Sequence, residues 1–189
     1  FQPVTFLQLG YPTRVRSEYE LFKYIDVMQE TRFEHDYSNF LGGITETEFE
    51  LLQKLTSLVC NFSEAQFQRK GIARSSLIRM INVLRHIQYL FGDQHPRILE
   101  IGPGCGYLGA MLMLLGYPYA ATDVTQAFYL YQNHLWDFIS GGKIFEGVKQ
   151  EINSVLREIP TGSVVHFPWW EFVKLRPESV PQFDVITCN

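Results

Sequence analysis

Cysteine is scarce in this chain. Cys60, Cys105 and Cys188 form an odd set, far apart, with no CxxC pair and no zinc-ligand spacing. That pattern argues against a disulfide framework and a zinc site, and sets the expectation of a reduced, cytoplasmic protein without a metal. Basic charge is short as well: 16 Lys and Arg face 20 Asp and Glu, for a net charge of −4. Nucleic-acid binders carry a basic face, so DNA and RNA are not expected partners. No apolar run is long enough to cross a bilayer. The longest, Tyr107 to Ala121, is broken by Gly109, Gly116 and Pro118, so no membrane partner is expected. Internal repeats and low-complexity segments are also missing. The chain opens on Phe1 rather than Met and stops inside FDVITCN, which reads as a buried strand. The expectation is that the natural protein continues.

What is present fits a globular domain. Hydrophobic residues make up 46% of the 189 residues and charged residues 19%. Aromatics reach 15%, enough for a well-filled core or for stacking surfaces in a pocket. The length suits one domain with a small helical appendage.

Residues 1–95 read as helical. Leu21, Phe22, Ile25 and Met28 form a helical stripe within Glu18 to Arg32. Thr45-Glu46-Thr47-Glu48 fits a capping box ahead of FELLQKLTSLV. Ser63-Glu64-Ala65-Gln66 fits a second box, predicting a separate short helix closed by Gly71. Leu77, Ile78, Ile81, Leu84, Ile87 and Leu90 recur at helical steps, and Gly92 stands where a cap belongs.

Residues 96–189 change pattern. Arg97–Ile101, Tyr119–Thr122, Val164–Phe167 and Phe183–Cys188 read as four strands. Cys105–Leu115 and Gln126–Ile139 read as the helices between the first three. Alternating strands and helices predict an α/β fold with a parallel sheet covered on both faces. Between residues 140 and 162 a helix from Val148 to Ile159 is expected.

The stretch ILEIGPGCGYLG carries the chemistry. In a parallel sheet ligands bind beyond the carboxyl ends of the strands. Glycines there let a ligand lie against backbone, and the next helix aims free N–H groups at the same spot. Gly104-Cys105-Gly106-Tyr107-Leu108-Gly109 matches GxGxxG, the dinucleotide pattern. That reading wants an acid about 20 residues further on, whereas Asp123 lies fourteen past Gly109.

The other reading starts one acid earlier. Glu100-Ile101-Gly102-Pro103-Gly104-Cys105-Gly106 is an acid-x-Gly-x-Gly-x-Gly array, and Asp123 follows Gly106 by seventeen residues at the end of the second strand. Residues 95–189 thereby resemble the class I S-adenosylmethionine-dependent methyltransferases. The resemblance implies a Rossmann-like core, holding strands one to four and incomplete at its C-terminus. It implies a cofactor loop of Gly102, Pro103, Gly104, Gly106 and Tyr107, with Glu100 near the methionyl ammonium. Asp123, followed by Val124, would accept hydrogen bonds from the ribose hydroxyls, a task that suits a carboxylate. Many relatives place an adenine-binding acid after the third strand. Here VVHFPWWEFVKL offers Trp169 and Trp170, which would either stack on adenine or pack helix against sheet. Asn189 stands where amino-methylating relatives begin an Asn-Pro-Pro-aromatic motif.

The function implied is methyl transfer from S-adenosylmethionine to a small-molecule acceptor, at oxygen as in methyltransferases of sugars and natural products. S-adenosylhomocysteine would be the product. The helices of residues 1–95 would cover the pocket or form its acceptor side. Tyr19, Phe22, Tyr24, Phe33 and Tyr37 are open to an acceptor-lining role or to plain helix packing. His134 and His166 are the histidines nearest the site and read as structural. Two other readings stay open: a nicotinamide-dependent oxidoreductase, and a non-catalytic domain of methyltransferase form.

Overall fold

The computed structural model describes residues 15–27, 43–148, 151–176, 178, 180 and 182–188. Among the described residues three helices come first: α1 (Glu18–Val27), α2 (Glu46–Phe67) and α3 (Arg74–Phe91). An alternating series follows: β1 (Ile98–Ile101), α4 (Tyr107–Leu114), β2 (Tyr119–Asp123), α5 (Gln126–Ser140), β3 (Ile144–Glu146), α6 (Ile152–Arg157), β4 (Val164–Pro168), α7 (Trp169–Phe172) and β5 (Val185–Cys188). The five strands are all parallel, in the order β3-β4-β2-β1-β5. The α/β fold with a parallel sheet is as expected, and its order is compatible with a Rossmann-like arrangement.

The strands β1, β2, β3 and β4 divide their side chains between two cores, because neighbours along a strand point to opposite faces. Ile98, Tyr119 and Val164 enter a cluster with α2, α3, α4 and α5. Leu99, Ala120 and Val165 enter a second cluster with α6 and with Phe172 of α7. Helix α4 is apolar all round, with every residue from Tyr107 to Met113 buried. Such a helix needs cover on both sides. The sheet supplies one side, while Leu55, Val59 and Phe62 of α2 and Leu77, Ile81 and Leu84 of α3 join the same cluster.

The Thr45 capping box is present: Glu48 N–H donates to Thr45 Oγ1 at 3.3 Å and Thr45 N–H to Glu48 Oε2 at 2.8 Å. Gly92 caps α3, its N–H donating to the Gln88 carbonyl at 2.8 Å. The second box does not form. Helix α2 runs unbroken through Ser63 and ends at Gln68, which takes the left-handed conformation. Ser63 is buried mid-helix, and its hydroxyl donates forward to the Arg69 carbonyl at 2.7 Å. Burial of Phe62 and Ser63 in the shared core outweighs the local capping signal.

Residues 140–162 also differ from expectation. An additional edge strand, β3, appears there, and the helix is confined to Ile152–Arg157. With three residues β3 is too short to show a sequence period. Gly147 prevents the helix from starting near Val148, because its N–H pairs with the His166 carbonyl at 2.7 Å and continues the ladder. The expected helix to Arg32 is described only to Val27; Phe33 and Tyr37 lie outside the described residues, as does the side chain of Tyr24. No described helix is long and apolar enough to cross a membrane.

Candidate functional site

The loop after β1 takes the conformation its glycines allow. Gly102, Gly104 and Gly106 have φ of +74°, +58° and +71°, a region closed to most side chains. Gly102 N–H extends the sheet by donating to the Thr122 carbonyl at 2.9 Å, and Gly106 N–H turns back to the Pro103 carbonyl at 2.9 Å. A Cβ on Gly104 would meet nothing within 4 Å, so open space adjoins the loop there. The other two close approaches are structural. A Cβ on Gly106 would come within 3.0 Å of the Trp136 ring, and one on Gly109 within 2.5 Å of the Tyr119 ring.

Glu100 and Asp123 stand on neighbouring strands. Glu100 pairs with Ala121, so Glu100 and Asp123 project from the same face of the sheet. Both are buried. Tyr119 donates its hydroxyl to Glu100 Oε2 at 2.6 Å. Asp123 Oδ1 accepts from Thr125 N–H and Oδ2 from Gln132 Nε2, each at 2.8 Å. Burial pushes the Asp123 carboxyl up to about 6 in spite of these donors.

Helix α5 holds the loop from behind. Gln132 Nε2 also donates to the Gly104 carbonyl at 2.8 Å, and Trp136 Nε1 to the Gly106 carbonyl at 2.8 Å. The two residues sit one turn apart on one helix face. Gln132, Trp136 and Tyr119 were not singled out from the sequence. The available signal was Gln132 itself, an amide inside the apolar stripe of FYLYQNHLW.

One row across this face is polar at every position but Ala121, where a parallel sheet is usually apolar. Glu146, His166, Ala121, Glu100 and Thr187 are register partners from β3 to β5. Tyr129 donates to Glu146. His166 stacks on Tyr129 with centroids 4.2 Å apart and meets Asn133 Oδ1 through Nδ1 at 2.8 Å. Burial holds its imidazole well below the ordinary value, hence neutral. His166 Nε2, Thr187 Oγ1 and Gln132 Oε1 are buried and have no hydrogen-bond partner among the described residues.

The remaining expected site residues divide. Gly102 is partly buried, Pro103 buried, and Val124 41% exposed beside Asp123. Trp169 opens α7 directly after Pro168, the register partner of Asp123, so it stands at the same end of the sheet. The Tyr107 side chain turns away from the loop: its oxygen accepts from Ala73 N–H at 3.1 Å, and its ring is buried in the helical core. His134 is exposed on α5. Phe22 packs on Phe67 at 5.5 Å, whereas Tyr19 is 54% exposed. Asn189 lies outside the described residues. Val15 N–H donates to Gln126 Oε1 at 3.1 Å, which brings the segment before α1 to the first turn of α5.

Comparison with protein-family models, curated proteins and solved structures gives no match.

Proposed function

We propose that this chain is an S-adenosylmethionine-dependent methyltransferase acting on a small-molecule acceptor, with oxygen as the receiving atom. The observation that carries the reading is the placing of Glu100 and Asp123 on one sheet face, near the ends of adjacent strands, beside a three-glycine loop. The groups present suit the cofactor. Asp123 keeps unused lone pairs, since a carboxylate has about four acceptor sites, and these would take the ribose hydroxyls. Glu100 would serve the ammonium end, directly or through water. Thr187 Oγ1 and Gln132 Oε1 are buried polar atoms still able to accept from a donor-rich ligand. The bound cofactor supplies an activated methyl group, so alignment of the acceptor is the protein's main contribution. A hydroxyl acceptor also needs a base. In this family such residues come from loops after the fourth and later strands. Oxygen and a small acceptor rest on analogy of form with small-molecule methyltransferases, and the acidic net charge disfavours a nucleic-acid substrate.

One observation favours a nicotinamide-dependent oxidoreductase instead. The close packing of Gly109 on Tyr119 is the role that the dinucleotide pattern gives its third glycine. Calorimetric titration with S-adenosylhomocysteine and, in parallel, NADH separates the two. Micromolar binding of S-adenosylhomocysteine, lost in Asp123→Ala, is the expected result. Binding of NADH alone would replace the methyltransferase reading, and binding of neither by folded protein would remove both; S-adenosylhomocysteine binding without turnover on any acceptor would favour a non-catalytic domain of methyltransferase form.

A further inference from the structure

We propose that Gln132 is the positioning residue of this site, locking the glycine loop and the strand-end acid into one unit so that both halves of a nucleoside ligand are received together. The proposal rests on the cofactor reading above and adds a residue on α5, outside the loop and the strands.

The carboxamide orientation is set by its neighbours. Gln132 Nε2 meets two acceptors, the Gly104 carbonyl and Asp123 Oδ2, both at 2.8 Å. An amide nitrogen has two protons, and here each has a partner, so the oxygen cannot take that place. The side chain is fully buried, so water does not replace either bond when the amide is removed. The bond to Gly104 also fixes a peptide plane. In a trans peptide the carbonyl and the following N–H point to opposite edges, so the N–H of Cys105 faces away from Gln132. The loop has open space at this same residue, Gly104. Trp136 repeats the arrangement at Gly106, its indole N–H on that residue's carbonyl. Gln132 thus links two groups that the sequence places 19 residues apart, as Tyr119 links to Glu100. Its oxygen, buried and without a partner among the described residues, is a further acceptor at the junction.

Two variants test the role. Gln132→Met keeps length and removes the donors. In ligand-free protein, carbon-13 NMR should show Asp123 titrating at higher pH than in wild type, because its charged form loses a donor. Amide exchange at Cys105 and Gly106 should quicken. S-adenosylhomocysteine should bind about 10- to 100-fold more weakly, the range for losing a hydrogen bond to a charged group. Gln132→Glu retains polarity if the Met variant fails to fold. Its carboxyl faces Asp123, and two such groups share a proton. It should therefore bind poorly at pH 8 and recover as the pH falls toward 6, with circular dichroism showing the same folded state at both, which separates the rescue from refolding of a destabilised chain. Wild-type affinity in a folded Met variant, with an unmoved Asp123 titration, would overturn the positioning role and leave the cofactor reading intact. A wild-type chain that does not bind S-adenosylhomocysteine would remove that reading, and this proposal with it.

Discussion

The Tyr119 hydroxyl donates to Glu100 Oε2 at 2.6 Å, and neither residue is exposed. The bond ties the start of β2 to the acid near the end of β1. Burial and the Glu100 charge drive the phenol well above its ordinary value, so it stays a donor. Tyr119→Phe keeps the ring and leaves the carboxylate one donor short. The expected loss is about 1–3 kcal/mol of stability, measured by urea denaturation. An unchanged midpoint would mean that Glu100 finds another donor at no cost.

Gly104 and Gly109 should respond oppositely to alanine. Gly104→Ala meets no neighbour but must hold φ of +58°, a strain of about 1–2 kcal/mol. The chain should stay folded and lose S-adenosylhomocysteine binding by more than about tenfold, the loss expected when a methyl group occupies ligand space. Gly109→Ala drives a methyl to 2.5 Å from the Tyr119 ring. Overpacking of this kind costs about 1–3 kcal/mol, so stability is the first loss there, and any loss of affinity should follow from displacing the Tyr119 hydroxyl that serves Glu100. Calorimetry beside thermal melts distinguishes the two.

Asp123 gives stability a pH dependence of unusual sign. Its carboxyl is raised from 3.8 to about 6, chiefly by burial, so the folded chain binds the proton more tightly than the unfolded one. Its contribution to stability therefore falls as pH rises from about 4 to about 6, then levels. Asp123→Asn should abolish this window, which the difference in Tm between the two proteins across that range would record. A constant difference would contradict the assignment.

Glu48 has the opposite sign. Its hydrogen bond to Arg85 leads in lowering its carboxyl from 4.5 to about 2, with the Thr45 donors assisting. The stabilisation is present above 4.5 and is lost as pH falls toward 2. Glu48→Gln should lower Tm at neutral pH and converge with wild type in acid. Loss of equal size at pH 2 would show that the charge is not the cause.

Much of the frame is legible in the sequence. β1, β2, β4 and β5 announce themselves as apolar runs, and the Thr45 box and the Gly92 cap are complete within a few residues. The Ser63 box was misleading for a physical reason: the same four residues satisfy a cap or continue a helix, and packing of Phe62 decided between them. β3 was hidden because a three-residue edge strand depends on its neighbour β4 for its hydrogen bonds.

The amino-acid sequence by itself determined the alternation of strands and helices, the three glycines that follow β1, and the acids near the ends of β1 and β2. These follow from rules that act over four or five residues: dihedral limits, periodicity and capping. Only the tertiary structure decided that Gln132 would join Gly104 to Asp123, that Trp136 would rest on Gly106, and that Tyr119 would hold Glu100. Those bonds cross between elements, and their partners are chosen by how the helix packs on the sheet. No local pattern carries that information.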